Sequence, residues 1–169
     1  MKKRLLSLLS LVCLVAMLFS MTGVAHAQTA EFESTQTFLD YLDSKGIKYT
    51  YYGVDGKYEK INVGFNLDNF SSLDCVFFFK QDCEEVSLRI WNIVTASAGK
   101  NFVLSTLNEL NQDYKFAKFV FDASDSTVQA EHDMYIDAGH CGRPVYDAMM
   151  ILFDIVDDAE IAAKLHSLE

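Results

Sequence analysis

TLNELNQDYKFAKFVFDASDSTVQAEHDMYI, residues 106–136, contains the change of period that decides the fold. Up to Asp113 the apolar residues Val103, Leu107, Leu110 and Tyr114 recur at spacings of three and four, so residues 98–113 are predicted to be a helix. From Lys115 the period drops to two. Residues 115–123 and 127–135 then read as two strands about the turn Ser124-Asp125-Ser126. In the second strand Val128, Ala130, His132 and Met134 share one face, and Thr127, Gln129, Glu131 and Asp133 the other. A helix therefore runs directly into an antiparallel hairpin.

Working back from this junction, residues 34–45 predict a short amphipathic helix. Phe38, Leu39 and Leu42 form its buried stripe, Ser34 can cap its start, and Gly46 suits its end. Ile47, Tyr49 and Tyr51 alternate up to the turn Asp55-Gly56, and Ile61, Val63, Phe65 and Leu67 alternate after it, which predicts a hairpin with one buried face. Residues 73–80 (LDCVFFFK) form a third strand, apolar on both faces. Residues 85–93 form a fourth, with Val86, Leu88 and Ile90 opposed to Ser87, Arg89 and Trp91. Working forward, Pro144 suits the first turn of a last helix, predicted from about residue 145 to 168. The order α-β-β-β-β-α-β-β-α, with tight turns between strands, places the chain in the α+β class with a largely antiparallel sheet.

The first 27 residues read differently. Lys2, Lys3 and Arg4 precede an apolar run from Leu5 to Phe19, and Ala25-His26-Ala27 offers a small-x-small cleavage site. The reading is a secretory signal peptide cut after Ala27, with an uncleaved anchor as the alternative. The protein is then expected to be secreted or held in the cell envelope, with no membrane span after cleavage, as one α+β domain over residues 28–169. Cleavage removes three of 14 basic residues and none of 24 acidic ones. The remaining 11 against 24 leave a net charge of about −13 with His neutral, which disfavours nucleic acid as a partner. Cys75, Cys83 and Cys141 remain. Their odd number leaves at least one thiol outside any intramolecular disulfide, and no pairing is assigned.

Catalytic chemistry has little to build on. Glu131, His132, Asp133, Asp137, His140 and Cys141 are the densest set of ligand-type residues. A metal-dependent hydrolase on His132, His140 and Cys141 is the weakest reading, because their spacing matches no tight zinc motif. Neighbouring His140 and Cys141 make a poor base and nucleophile, because adjacent side chains rarely aim at each other. There is no Gly-rich phosphate loop, G-x-S-x-G or H-E-x-x-H. Asp157-Asp158 reads as part of a solvated helix face. No cofactor is expected.

Leu107-Asn108, Leu110-Asn111, then Phe116, Phe119 and Phe121, then Val128 resemble the pattern of the YbjN-like family, the bacterial sensory-transduction regulators. The resemblance covers about residues 34–168. It implies a fold like that of type III secretion chaperones, a bent antiparallel sheet flanked by helices, in proteins that are not enzymes, hold polypeptides and often dimerise. The export signal departs from a pattern in which many relatives are cytosolic.

On this reading Asn108 and Asn111 bond the helix end and the next loop. A protein or peptide partner, or a second copy of the chain, would be held by strand edges and by surplus apolar surface. The candidate contact residues are Met150, Ile151 and Ile155 on the last helix, with Phe77, Phe79, Phe119 and Phe121 on the sheet. The alternative is a small apolar ligand held beneath the sheet by the same phenylalanines.

Overall fold

A computed structural model of the chain describes residues 29–169. The proposed leader and its cleavage site lie outside the described residues. Helix α1 (Glu33–Lys45) leads into strands β1 (Thr50–Asp55), β2 (Tyr58–Phe65), β3 (Leu73–Lys80) and β4 (Glu85–Thr95). Helix α2 (Lys100–Asp113), strands β5 (Lys118–Asp122) and β6 (Thr127–Tyr135), and helices α3 (Gly142–Val156) and α4 (Ala159–His166) follow. The six strands form one sheet in the order β1-β2-β3-β4-β6-β5, and every neighbouring pair is antiparallel. The α+β class and the element order expected from the sequence are therefore both present.

One face of the sheet makes the core. Ile61, Val63, Cys75, Phe77, Phe79, Val86, Leu88 and Ile90 are all fully buried on it. Phe38 of α1 closes over them, its ring centroid 4.7 Å from that of Phe77 and 5.6 Å from that of Phe79. Burial of each such side chain contributes about 1.5–3 kcal/mol. Helix α3 lies on the same side, with Phe153 5.0 Å from Phe65 between ring centroids. It meets α1 closely at Gly142, where an added Cβ would come within 2.7 Å of Tyr41 Cβ and 2.9 Å of the Thr37 carbonyl oxygen.

Three details differ from expectation. The last helix is two helices, broken at Asp157 and Asp158. The Asp157 carboxylate accepts the backbone N–H groups of Asp68 and Asn69 at 2.9 and 2.8 Å, and Asp158 caps α4 by accepting from Glu160 N and Ile161 N. This acidic pair ends one helix, starts the next and holds the β2–β3 loop. Ser34 does not cap α1. The N-cap is Phe32, and Ser34 is buried in the first turn with its hydroxyl unpaired. The capping role passes to Glu59, fully buried on β2, whose two carboxylate oxygens accept the N–H groups of Glu31 and Phe32 at 2.8 and 2.9 Å. The Tyr51 hydroxyl donates to the same carboxylate; burial, with Glu59 beside it, raises the Tyr51 pKa. Finally, β5 starts at Lys118, three residues later than the alternation suggested.

Candidate functional site

The sheet's other face carries aromatic side chains that the helices leave exposed. Outward positions on four adjacent strands bring together Tyr52, Lys60, Val76, Phe78 and Trp91, which line an open hollow of about 350 Å³. Tyr52 is 62 % exposed and Trp91 44 %, so the helices do not cover them. Tyr58 adds a further ring beside Phe78.

Two backbone irregularities present the two most exposed rings of the hollow, Tyr52 and Trp91. In β1, Tyr51 lies opposite Ile61 and Gly53 opposite Lys60, so Tyr52 is an extra residue, and Gly53 adopts φ 80° to allow it. In β4 the register passes from Ile90 opposite Ala130 to Val94 opposite Val128. Trp91, Asn92 and Ile93 together oppose Gln129, with Asn92 at φ 53°. Bulges of this kind re-aim side chains and concentrate at functional sites. Both bulges here serve the same hollow.

The rings do not form a flat platform. Tyr58 and Phe78 cross at 86° with centroids 6.1 Å apart, and Phe78 and Trp91 at 60° with centroids 5.5 Å apart. The surface is ridged. Lys60 pairs with Asp55 and sets its Nζ 5.6 Å from the centre of the Phe78 ring. Arg89, next along β4, bonds Asp133 at 2.7 Å and approaches Glu131 at 3.8 Å. Burial pushes the Asp133 pKa up, but the hydrogen bonds from Arg89 and Ser87 outweigh it and hold the carboxyl below its usual range. On the far side of Trp91 lies a second hollow, polar and acidic, lined by Asn92, Asp122, Asp125 and Gln129.

The residues singled out in the sequence are dispersed. Phe77, Phe79 and Phe119 are in the core, and Phe121 is half-buried against it. Their contact with a partner would require the fold to open, and Phe38 already fills the space beneath the sheet at Phe77 and Phe79. On α3, Met150 and Ile155 are half-buried against the core, and Ile151 is 44 % exposed. His132 is half-buried near Phe116, whereas His140 is exposed and 3.1 Å from Asp137. Cys141 is buried, donating to the carbonyls of Ser34 and Ala138; burial pushes its thiol up to about 11, away from nucleophilic chemistry. Among the described residues, no three His, Cys, Asp or Glu side chains are grouped to hold a metal ion.

The strand edges are also less available than the sequence suggests. The Asn111 amide donates to the Phe119 carbonyl at 2.9 Å and accepts the Phe119 N–H at 2.7 Å. It therefore stands in for a neighbouring strand at the outer edge of β5. Asn108 is exposed. At the opposite edge, the Tyr52 bulge interrupts β1.

Sequence reasoning missed the aromatic hollow, although Gly53 inside a strand signals a bulge and alternation sets Trp91 opposite Val86, Leu88 and Ile90. Alternation could not show that residues 52, 60, 78 and 91, on four strands, converge.

No family model matches the chain, and no curated protein matches it. Among solved structures, a chain in the crystal structure of the ExsC–ExsE complex is similar, with TM-score 0.51 and 12 % identity, over 79 % of this chain and 95 % of that one. At that identity the likeness speaks for the fold alone, which is the type III secretion chaperone-like α+β fold. Among the described residues, no helix is long and apolar enough to cross a membrane.

Proposed function

We propose that this chain is a non-enzymatic binding module that holds a polypeptide partner on the outer face of its sheet. The observation that carries this reading is the ridged aromatic hollow, with Tyr52 and Trp91 exposed at its two sides by separate bulges. Large rings of low conformational entropy, set in a hollow, are the usual anchors of protein recognition. The similar solved structure is itself a complex of two proteins. The YbjN-like resemblance supports a regulatory or chaperone-like role, and the leader-like pattern of residues 1–27 supports a role in the envelope or outside the cell. Ile151, with Met150 and Ile155 beside it, is the place for a homodimer contact.

A second reading, a carrier of a small apolar ligand, moves to this same hollow. The space beneath the sheet is packed, and the outer hollow is open and apolar-lined.

Titration of residues 28–169 with a permanently unfolded basic polypeptide, such as reduced ribonuclease A with its cysteines capped by neutral carbamidomethyl groups, tests the proposal. Binding that weakens about tenfold in Tyr52→Ala and Trp91→Ala supports it. Absence of binding, or binding indifferent to both substitutions, removes it.

A further inference from the structure

We infer that the hollow takes a proline-rich segment in the polyproline II conformation, with a Lys or Arg at one end seated beyond Trp91 against Asp122 and Asp125. This rests on the polypeptide-binding reading above.

Four observations select this ligand chemistry. First, both strand edges are blunted, β5 by Asn111 and β1 by its bulge, so recognition falls to the face of the sheet and not to strand addition. Second, Phe78 and Trp91 within the hollow cross at 60°, and Tyr58 on its flank crosses Phe78 at 86°. Stacking of sugar or nucleobase faces wants flat rings, whereas the ridges of a polyproline II helix fit aromatic-lined grooves. Third, the length fits. Tyr52 and Trp91 lie on β1 and β4, three strand spacings apart, or about 14 Å. That is about five residues of polyproline II at ~3.1 Å each. Such a segment is already extended, so little conformational entropy is lost on docking.

Fourth, charge is complementary at one end only. Trp91 is the wall between the apolar hollow and the acidic one. Asp122 and Asp125 each use Oδ1 to hold their own turn, through Ser124 and Thr127, so their positions are fixed before a ligand arrives. A cation at the end of the segment meets them as the chain crosses Trp91. At the other side the hollow's own acid, Asp55, is already paired with Lys60. This asymmetry sets the direction in which the segment lies.

The test is a random dodecapeptide display library panned on residues 28–169, followed by titration of the enriched peptides. Trp91 is the only tryptophan, so its emission reports occupancy of the hollow directly. The expected result is enrichment of spaced prolines with Lys or Arg at one end, and a shift in Trp91 emission on binding. Tyr52→Ala, at an exposed position that spares the core, and Trp91→Ala each weaken binding about tenfold. The double variant Asp122→Asn/Asp125→Asn weakens it less, and only for peptides that keep the terminal cation. The inference is overturned by enriched peptides that alternate apolar and polar residues without proline, by binding unaffected by Tyr52→Ala, by a neutral oligosaccharide such as cellohexaose shifting Trp91 emission where the peptides do not, or by no enrichment at all. If no peptide is enriched while the unfolded polypeptide still binds, this inference fails alone. If neither binds, the reading beneath it fails as well.

Discussion

Glu59 shows how one residue can join distant parts of the fold. It interrupts an alternating apolar strand with a carboxylate that is fully buried, yet two backbone N–H groups and the Tyr51 hydroxyl point at it. A buried acceptor removed without replacement leaves its donors unpaired, at about 1–3 kcal/mol for each. Glu59→Ala should therefore lower the urea unfolding free energy by about 3 kcal/mol, and Glu59→Gln by less. A Glu59→Ala protein as stable as wild type would mean that the start of α1 is held by something else. His166 offers a test by pH. Its ring stacks on Phe70 at 4.9 Å, with Nδ1 against Glu169 and Nε2 against the Asn69 carbonyl. The Glu169 hydrogen bond, then the Asn69 contact, raise its pKa above the usual 6.5. The protonated form thus favours the folded state. Its contribution is complete below about pH 6.5 and is lost as pH rises through the higher folded value. The melting-temperature difference between wild type and His166→Gln should be larger at pH 6 than at pH 9, and the opposite trend would refute the assignment.

Among elements, the junction from α2 to β5 carries the most information. The sequence located it through the change of period at Lys115 and pointed to Asn111 as a residue bonding helix to loop. The structure sharpens that role, because Asn111 bonds both backbone groups of Phe119 and closes the edge of β5. Asn111→Ala should cost about 1–2 kcal/mol in unfolding free energy. It should also make the protein self-associate with rising concentration in sedimentation, as an open edge invites pairing. A monomeric, equally stable variant would contradict this role. Strands β2, β4 and β6 were legible because one face is apolar and the other largely polar, a signal of period two that survives without any knowledge of neighbours. The break at Asp157-Asp158 was not legible, because apolar residues continue on both sides of it and the cause is the distant β2–β3 loop. The cap of α1 was hidden for the same reason, since Glu59 lies 27 residues from Phe32.

For the whole molecule, the sheet divides labour between its faces. The inner face and the helices make the core, and the outer face keeps aromatic rings at the surface. The phenylalanines on which the sequence reading placed a ligand, Phe77, Phe79 and Phe119, belong to the first task. The rings that serve the second, Tyr52 and Trp91, sit at bulges whose register is set by pairing with neighbouring strands. Acidity adds a constraint on partners. The chain carries a net charge of −10, or about −13 without the proposed leader, and repels polyanions, so the outer face should select neutral or basic polypeptides, more strongly at low salt. Native mass spectrometry of residues 28–169, exported from a bacterial expression host and recovered without reductant, tests the central claim most directly. The account predicts a species carrying polypeptide-sized extra mass that disappears in Trp91→Ala. Wild-type protein carrying an unexplained mass of small-molecule or metal size, in place of a polypeptide, would contradict it.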